Sequence, residues 1–571
     1  MRNWRMGIIF FILFIMGAAI VGRLFSLQII RGEYYKNLAE NQYKAQEKTE
    51  NKRGEILIYD KNDFFPAAVN RKWPMVYVSP KDVSEQDRDR ATEGLAIILD
   101  LDKESIREKL EKKNDPYEPL AHRLSDNETQ KIKALGIKGV NITDEEARYY
   151  PLGNVLAHVL GFVGFDTDKR VGQYGVEEFY EKDLKGTKNQ SVNNDSSTLN
   201  KFFEVVGKFV SFKTKSSDVI LSIDKNIQLV AEDKLKQVMD KWSADSGNAI
   251  IMNPVSGEIL AMANYPTFDL NEYFKTEDVG VFLNSSIHDL FEPGSVFKII
   301  TMAAALDSGK ITPSTVYSDV GFVKMGGYTI KNWDKKSHGE QTMTQVLEKS
   351  LNTGAIFAES LLSKDDFLKY IRSFGFDKKT GIDLAGEVAG NISNLYFGRD
   401  VNYATASFGQ GVAVTPIELI SAVSAIANQG IMVRPRVLSS FRNQDGIIAR
   451  VESDKGERII SAAAARSLAN MMVSVVDNGY DKAAKVPGYY VAGKTGTAQV
   501  PLKDEKNYGE ETIHTFVGFA PAFNPRFAIL LKINNPKGIN FASNSLSPTF
   551  RQLTEFMLNY YGIKPDYEPK T

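Results

Sequence analysis

Apolar positions are first concentrated in one uncharged run, residues 7–22, reading GIIFFILFIMGAAIVG. Arg2 and Arg5 precede it, and after Arg23 the run LFSLQII continues to Ile30. A helix over 6–29 would hold ~24 residues and reach ~36 Å, enough to cross a hydrocarbon core of ~30 Å with some tilt. Arg23 would snorkel to the outer interface, and the two leading arginines would keep the N-terminus in the cytoplasm with the rest outside. A cleaved leader is the competing reading, since Gly17, Ala18 and Ala19 supply small residues. The length of the uncharged stretch favours an uncleaved anchor.

Beyond the anchor the periodicities are those of a globular chain. Strand-like runs occur at 55–59, 74–78 and 136–142, helical patterns at 87–101 and 103–113, and a turn-bounded helix at 153–164. The stretch 187–217 begins rich in Ser, Asn and Lys and has an apolar centre at 202–210, so it reads as a loop with an embedded hairpin, or a linker. From 219 the pattern becomes strand 219–223, amphipathic helix 226–240, then strands 248–252 and 258–263 about the turn Pro254-Val255-Ser256-Gly257. Helices dominate from Ser295 to about Asn428, and strand regions at 489–500 and 512–533 close the chain. Strands, then helices, then strands imply an α/β (α+β) domain with a sheet covered by helices. The expected units are 1–30 (tail and anchor), 31–218 and 219–571.

Composition narrows the chemistry. Lys plus Arg is 70 and Asp plus Glu 71, so no basic footprint for nucleic acid is present in the totals. Without cysteine, disulfides, thiolate metal sites and cysteine nucleophiles are excluded. The five histidines contain no i,i+4 pair and no H-E-x-x-H, and neither a Walker loop nor G-x-G-x-x-G occurs. No metal or cofactor is expected.

One run carries chemistry. In Phe291-Glu292-Pro293-Gly294-Ser295-Val296-Phe297-Lys298, Pro293 and Gly294 punctuate before a helix expected to reach about Ser308. Ser295 would sit at the helix N-terminus with Lys298 one turn on, on the same face. The positive helix end stabilises negative charge near the serine and, with burial, disfavours an ammonium on Lys298. A neutral lysine can take the serine proton, and the alkoxide can attack a carbonyl.

S-x-x-K alone is a weak signal, since Ser222-Ile223-Asp224-Lys225 also matches it. Two more motifs follow: Ser350-Leu351-Asn352 in LEKSLNTGA, and Lys494-Thr495-Gly496-Thr497 in VAGKTGTAQV. These too have decoys, Ser246-Gly247-Asn248 and Lys379-Thr380-Gly381. Context separates them: Lys379 lies in a turn-like segment, whereas Lys494 lies in an apolar strand near HTFVGFAPA, where an edge strand can present side chains and amides to a substrate. The ordered triple, with starts 55 and 144 residues apart, is the motif set of β-lactamases and penicillin-binding proteins.

On these residues the chain resembles class B penicillin-binding proteins over nearly its whole length. IIMNPVSGEILAMANYPTFDLN, FEPGSVFKIITMAAALDSG, SFGQGVAVTPIEL and HTFVGFAPAFNPRFAIL are similar to segments of that family. Arg53-Gly54-Glu55-Ile56, Arg148-Tyr149-Tyr150-Pro151 and Tyr174-Gly175-Val176-Glu177 resemble its pedestal region. The chain departs from the pattern at Asp63, at 395–401 and at 187–217. SFGQG and HTFVGFAPA look most like the division or sporulation type, the elongation type being the alternative.

The resemblance implies an N-terminal transmembrane helix, an elongated mixed pedestal (dimerisation-like) domain and a transpeptidase fold with a mainly antiparallel sheet flanked by helices. It implies a peptidoglycan D,D-transpeptidase of septal wall synthesis that acts on stem peptides and is acylated by β-lactams. Lys298 would deprotonate Ser295, and Ser350 would relay a proton to the departing D-Ala. Asn352 would position the substrate amide. Thr495 and Thr497, with Lys494 behind them, would hold the terminal carboxylate, Gly496 would let the substrate backbone approach, and the N–H groups of Ser295 and Thr497 would form the oxyanion hole. The expected partners are the lipid bilayer and, by family analogy, a SEDS-type glycan polymerase and other division membrane proteins. A serine β-lactamase and a non-catalytic division scaffold are the rival readings.

Overall fold

The computed structural model describes residues 11, 14–18, 22, 23, 25, 52–112, 115–166, 169–186, 216–501 and 508–568. The chain divides into two compact units, Met1–Lys52 and Arg53–Thr571. In the first, the described residues between 11 and 25 are helical. The rest of the expected 6–29 span lies outside the described residues, as does the expected loop at 187–217 up to residue 215. Among the described residues no helix is long and apolar enough to cross a membrane.

The second unit is organised by two sheets. One has seven strands, ordered Ile448–Arg450, Leu438–Arg442, Asp218–Asp224, Ile56–Asp60, Asp63–Val78 and Glu118–Ala121, with Val140–Tyr149 also paired to Asp63–Val78. Asp218–Asp224 runs parallel to Ile56–Asp60, with Ile56 opposite Val219. Strands from either side of residue 218 therefore share one hydrogen-bonded ladder. The two strand-like runs expected at 55–59 and 74–78 belong to one hairpin whose second arm, Asp63–Val78, spans 16 residues. It is long because it pairs twice in succession, first with Ile56–Asp60 and then with Val140–Tyr149.

Three helices, Glu85–Leu99, Lys103–Leu110 and Asp126–Leu135, pack at the far end around Val76, Leu95, Ile106 and Ile132. Each starts on a side-chain cap, Ser84, Asp102 and Ser125, which satisfies an amide that would otherwise lack a partner. The strand expected at 136–142 begins only at Val140, because Gly136 turns left-handed and ends the preceding helix. The helix expected at 153–164 shortens to Ala157–Leu160, and Phe162–Asp166 pairs instead with Lys169–Gln173.

The three pedestal-like segments meet at one carboxylate. Glu177 is fully buried and accepts from Arg53 Nε at 2.8 Å, Arg148 Nε at 2.6 Å and the Tyr150 hydroxyl at 3.3 Å. Arg148 Nη1 also donates to Gly54 O at 2.8 Å, which closes the clasp.

The second sheet is antiparallel throughout, ordered Ala492–Pro501, Tyr508–Ala520, Phe527–Asn534, Ser246–Met252 and Ile259–Tyr265. Its central strands are apolar on both sides because both faces are covered. Lys225–Trp242 and Ser547–Tyr560 cover one face, and Lys298–Asp307, Pro416–Ala427 and Ala462–Asn478 pack in the cluster on the other. The strand region expected at 512–533 is two strands that reverse between Ala520 and Phe527.

Helices dominate between Ser295 and Asn428 as expected, but 316–342 interrupts them with strands. Val316–Asp319 pairs with Gly339–Thr342, and Phe322–Met325 with Tyr328–Lys331 around the tight turn at Gly326 and Gly327. Exposed and buried positions alternate along Val316–Asp319, the two-residue period of a half-buried strand.

Candidate active site

The edge strand Ala492–Pro501 lies against the turn that carries Ser295. Ser295 belongs to a 3-10 turn, Gly294–Phe297, and the α-helix proper begins at Lys298. The sequence placed the helix start three residues earlier; the tighter turn still leaves serine and lysine adjacent. Lys298 Nζ lies 2.9 Å from Ser295 Oγ. It also donates to the Ser350 carbonyl at 2.6 Å and lies 3.2 Å from Ser350 Oγ. Three of the expected residues thus meet around a single amine.

Lys298 is completely buried. Burial drives its amine well below the ordinary lysine value, and the charge of Lys494 acts in the same direction. Ser350 holds a left-handed backbone, φ 54°, a conformation that costs a non-glycine residue energy and is characteristic of functional sites. That twist aims both its carbonyl and its hydroxyl at one nitrogen.

Asn352 opens the helix Asn352–Ser360, and its Nδ2 donates to Lys331 O at 3.0 Å. Its side chain is therefore tied to the strand insert of 316–342 rather than to the serine or lysine.

Side chains alternate along the edge strand. Lys494 and Gly496 share one face, and Thr495 and Thr497 the other. Lys494 is buried, which lowers its amine's pKa, while the carboxylate of Asp481 works in the opposite sense. Gly496 meets the serine turn: a Cβ there would lie 2.6 Å from Pro293 O and 2.8 Å from Val296 Cγ2. The missing side chain admits the serine turn.

Thr495 has a partner of its own behind the strand. Its backbone N–H and its hydroxyl both donate to the Asp481 carboxylate, at 3.0 and 2.8 Å. The hydroxyl hydrogen is thus directed to a buried aspartate. Thr497 differs, since its Oγ1 accepts from the Ala542 N–H at 3.1 Å and keeps its hydrogen for another partner. Asp481 had no motif to reveal it.

The SFGQG run also acquires a role. Thr301 Oγ1 donates to Ser407 O at 2.8 Å, Gly294 N to Gly409 O at 3.1 Å, and Gly411 N to Glu292 Oε1 at 2.8 Å. At Gly409, with φ 81°, a Cβ would lie 2.2 Å from Gly294 O. The serine turn is gripped between two glycines, Gly496 and Gly409.

The decoys fall elsewhere. Ser222 donates to Ile259 O at 2.8 Å inside the core, while Lys225 pairs with Asp60. Thr380 and Gly381 wrap the Glu387 carboxylate with their N–H groups at 2.7 and 3.1 Å. Asn248 sits in a buried amide network with Asn264. Among the described residues no cluster of His, Cys, Asp or Glu could hold a metal ion.

The chain is similar to known proteins over most of its length. Residues 247–555 match the penicillin binding protein transpeptidase domain, and residues 48–208 the penicillin-binding protein dimerisation domain. Stage V sporulation protein D of Bacillus subtilis (strain 168) is 34% identical, covering 95% of this chain and 83% of its own length. Peptidoglycan D,D-transpeptidase FtsI of Escherichia coli (strain K12) is 29% identical, covering 99% and 93%. The structure of penicillin binding protein 3 from Mycobacterium tuberculosis, complexed with aztreonam, is similar with a TM-score of 0.68 at 24% identity, covering 91% of this chain and 99% of that one.

Proposed function

The chain belongs to the penicillin-binding protein transpeptidase family, and from that premise we propose that it is a peptidoglycan D,D-transpeptidase working through a Ser295 acyl-enzyme. The observation that carries the assignment of residues is the convergence of Ser295 and Ser350 on the buried amine of Lys298, with the strand bearing Gly496 packed against the serine turn. A neutral amine has two hydrogens and one lone pair. With the hydrogens turned to the Ser350 carbonyl and hydroxyl, the lone pair faces Ser295 Oγ and can take its proton. The alkoxide then attacks the penultimate D-Ala carbonyl of a donor stem peptide, and the proton passes through Ser350 to the departing D-Ala. An amine of a neighbouring stem then attacks the ester and releases the serine.

The N–H groups of Ser295 and Thr497 are the donors for the oxyanion, each typically worth ~3–4 kcal/mol. Lys494 supplies positive charge near the substrate carboxylate, and the Thr497 hydroxyl donates to it. Thr495 serves the strand through Asp481. Asn352 binds the stem-peptide amide from its anchored position. A β-lactam mimics the D-Ala-D-Ala end and leaves a long-lived ester on Ser295.

The names of the relatives favour a septal or sporulation role. We read residues 1–30 as cytoplasmic tail and anchor, 31–218 as pedestal and 219–571 as the extracytoplasmic transpeptidase, with a SEDS-type polymerase as membrane partner. Labelled penicillin should mark the protein covalently and Ser295→Ala should abolish the mark; a mutant that labels like the parent refutes the assignment. Slow release of a chromogenic lactam is expected, whereas rapid turnover would make the protein a β-lactamase.

A further inference from the structure

The helix that follows Ser350 lacks a cap of its own. Its N-cap position is Leu351, which offers no side-chain acceptor to the first amides of Asn352–Ser360. The cap comes from the strand insert instead: Thr353 N donates to Asn332 Oδ1 at 3.2 Å. The neighbours of Asn332 tie the same junction. Asn352 Nδ2 donates to Lys331 O at 3.0 Å, and Trp333 Nε1 to Lys349 O at 3.1 Å. Three consecutive residues of the insert thus grip the chain on both sides of Ser350.

Asp319 holds this grip in place. It is 1% exposed and has no cationic partner among its hydrogen bonds. Oδ1 accepts from Gly321 N at 2.9 Å and from Thr353 Oγ1 at 2.8 Å. Oδ2 accepts from Asn332 Nδ2 at 2.9 Å and from His338 N at 3.0 Å. The Asn332 amide is thereby oriented, its nitrogen toward Asp319 and its oxygen toward the helix. Four donors converge on a group that only accepts, a match a carboxylamide cannot reproduce without turning a donor against a donor.

We propose that Asp319 is a positioning residue for acylation: through Asn332 and Thr353 it fixes the N-terminus of the Asn352 helix, and with it the left-handed Ser350 that meets Lys298. The insert is then a brace for the second motif as well as a surface hairpin. This rests on the assignment of Ser295, Lys298 and Ser350 above.

The test is the rate of acylation by labelled penicillin, per folded molecule, in the full chain. Thr353→Val keeps shape and removes the hydroxyl, whereas Thr353→Ser retains it. Asp319→Asn and Thr353→Val are each expected to slow acylation by about tenfold, and Thr353→Ser to restore most of the rate. The double variant should lose little more than either single one, since both cut the same link. Should Asp319→Asn fail to fold, the two Thr353 variants decide. Parental rates in Thr353→Val, or a Thr353→Ser as slow as Thr353→Val, would overturn the proposal. A parent that takes no label at Ser295 would instead overturn the underlying assignment.

Discussion

Thr495 places its N–H and its hydroxyl on the two oxygens of Asp481, a residue 14 positions earlier in the chain. This pins the middle of the edge strand from the side opposite the serine turn. It also sets a buried negative charge near Lys494, opposing the loss of that lysine's charge. Asp481→Ala should loosen the strand and leave the Thr495 donors unpaired, at ~1–3 kcal/mol for a buried unsatisfied group. We expect penicillin acylation efficiency to fall by about ten- to a hundredfold. Unchanged efficiency in a folded Asp481→Ala protein would show that the strand holds its place without it.

The pH dependence follows from Lys298. Its pKa is depressed by burial first and by Lys494 second, so the native amine is neutral above that lowered value. As pH falls through it, the amine is protonated and the base is lost. The acylation rate should decline on the acid side, approaching about tenfold per pH unit. Removing the neighbouring charge with Lys494→Ala should move the midpoint to higher pH. A profile that is flat, or that shifts the other way, contradicts this.

Gly496→Ala and Gly409→Ala should each push the serine turn from its seat. The expected strain is ~1–3 kcal/mol, and a displacement near 1 Å can cost about a hundredfold in rate. Gly409→Ala carries the additional penalty of a left-handed alanine. Thermal melting together with penicillin labelling distinguishes a modest loss of stability from a large loss of acylation, and the second is expected to dominate.

Glu177→Gln breaks the clasp among Arg53, Arg148 and Tyr150. Removing the charge from a fully buried carboxylate that neutralises two arginines should destabilise by ~3–5 kcal/mol. Denaturant unfolding measures this, and labelling per folded molecule should stay near the parental level, because none of these side chains contacts Lys298.

The parts of the site that could be read from the sequence are those that are local. Ser295 and Lys298 share a turn, so any helical continuation brings them together, and the 3-10 start alters the detail alone. Lys494 to Thr497 form one apolar strand whose alternation assigns faces directly. Asp481, Asn332 and Asp319 were invisible because their links to Thr495 and Thr353 span 14 to 34 residues, across loops whose path no periodicity encodes. The strands of 316–342 are four residues each, too short for a two-residue period to stand out from their polar surroundings. The packing of Gly496 against the serine turn was hidden for a related reason: an absent side chain signals a close approach without naming what approaches.

The ladder joining Ile56–Asp60 to Asp218–Asp224, and that strand to Leu438–Arg442, bears on how such a chain can be recombined. A chimera spliced at residue 218 from two relatives would inherit mismatched neighbours in the middle of a sheet, including the contact between Tyr59 and Ser439. Exchanges confined to the distal helices between Glu85 and Leu135 would leave that seam whole, so tolerated crossovers should cluster there.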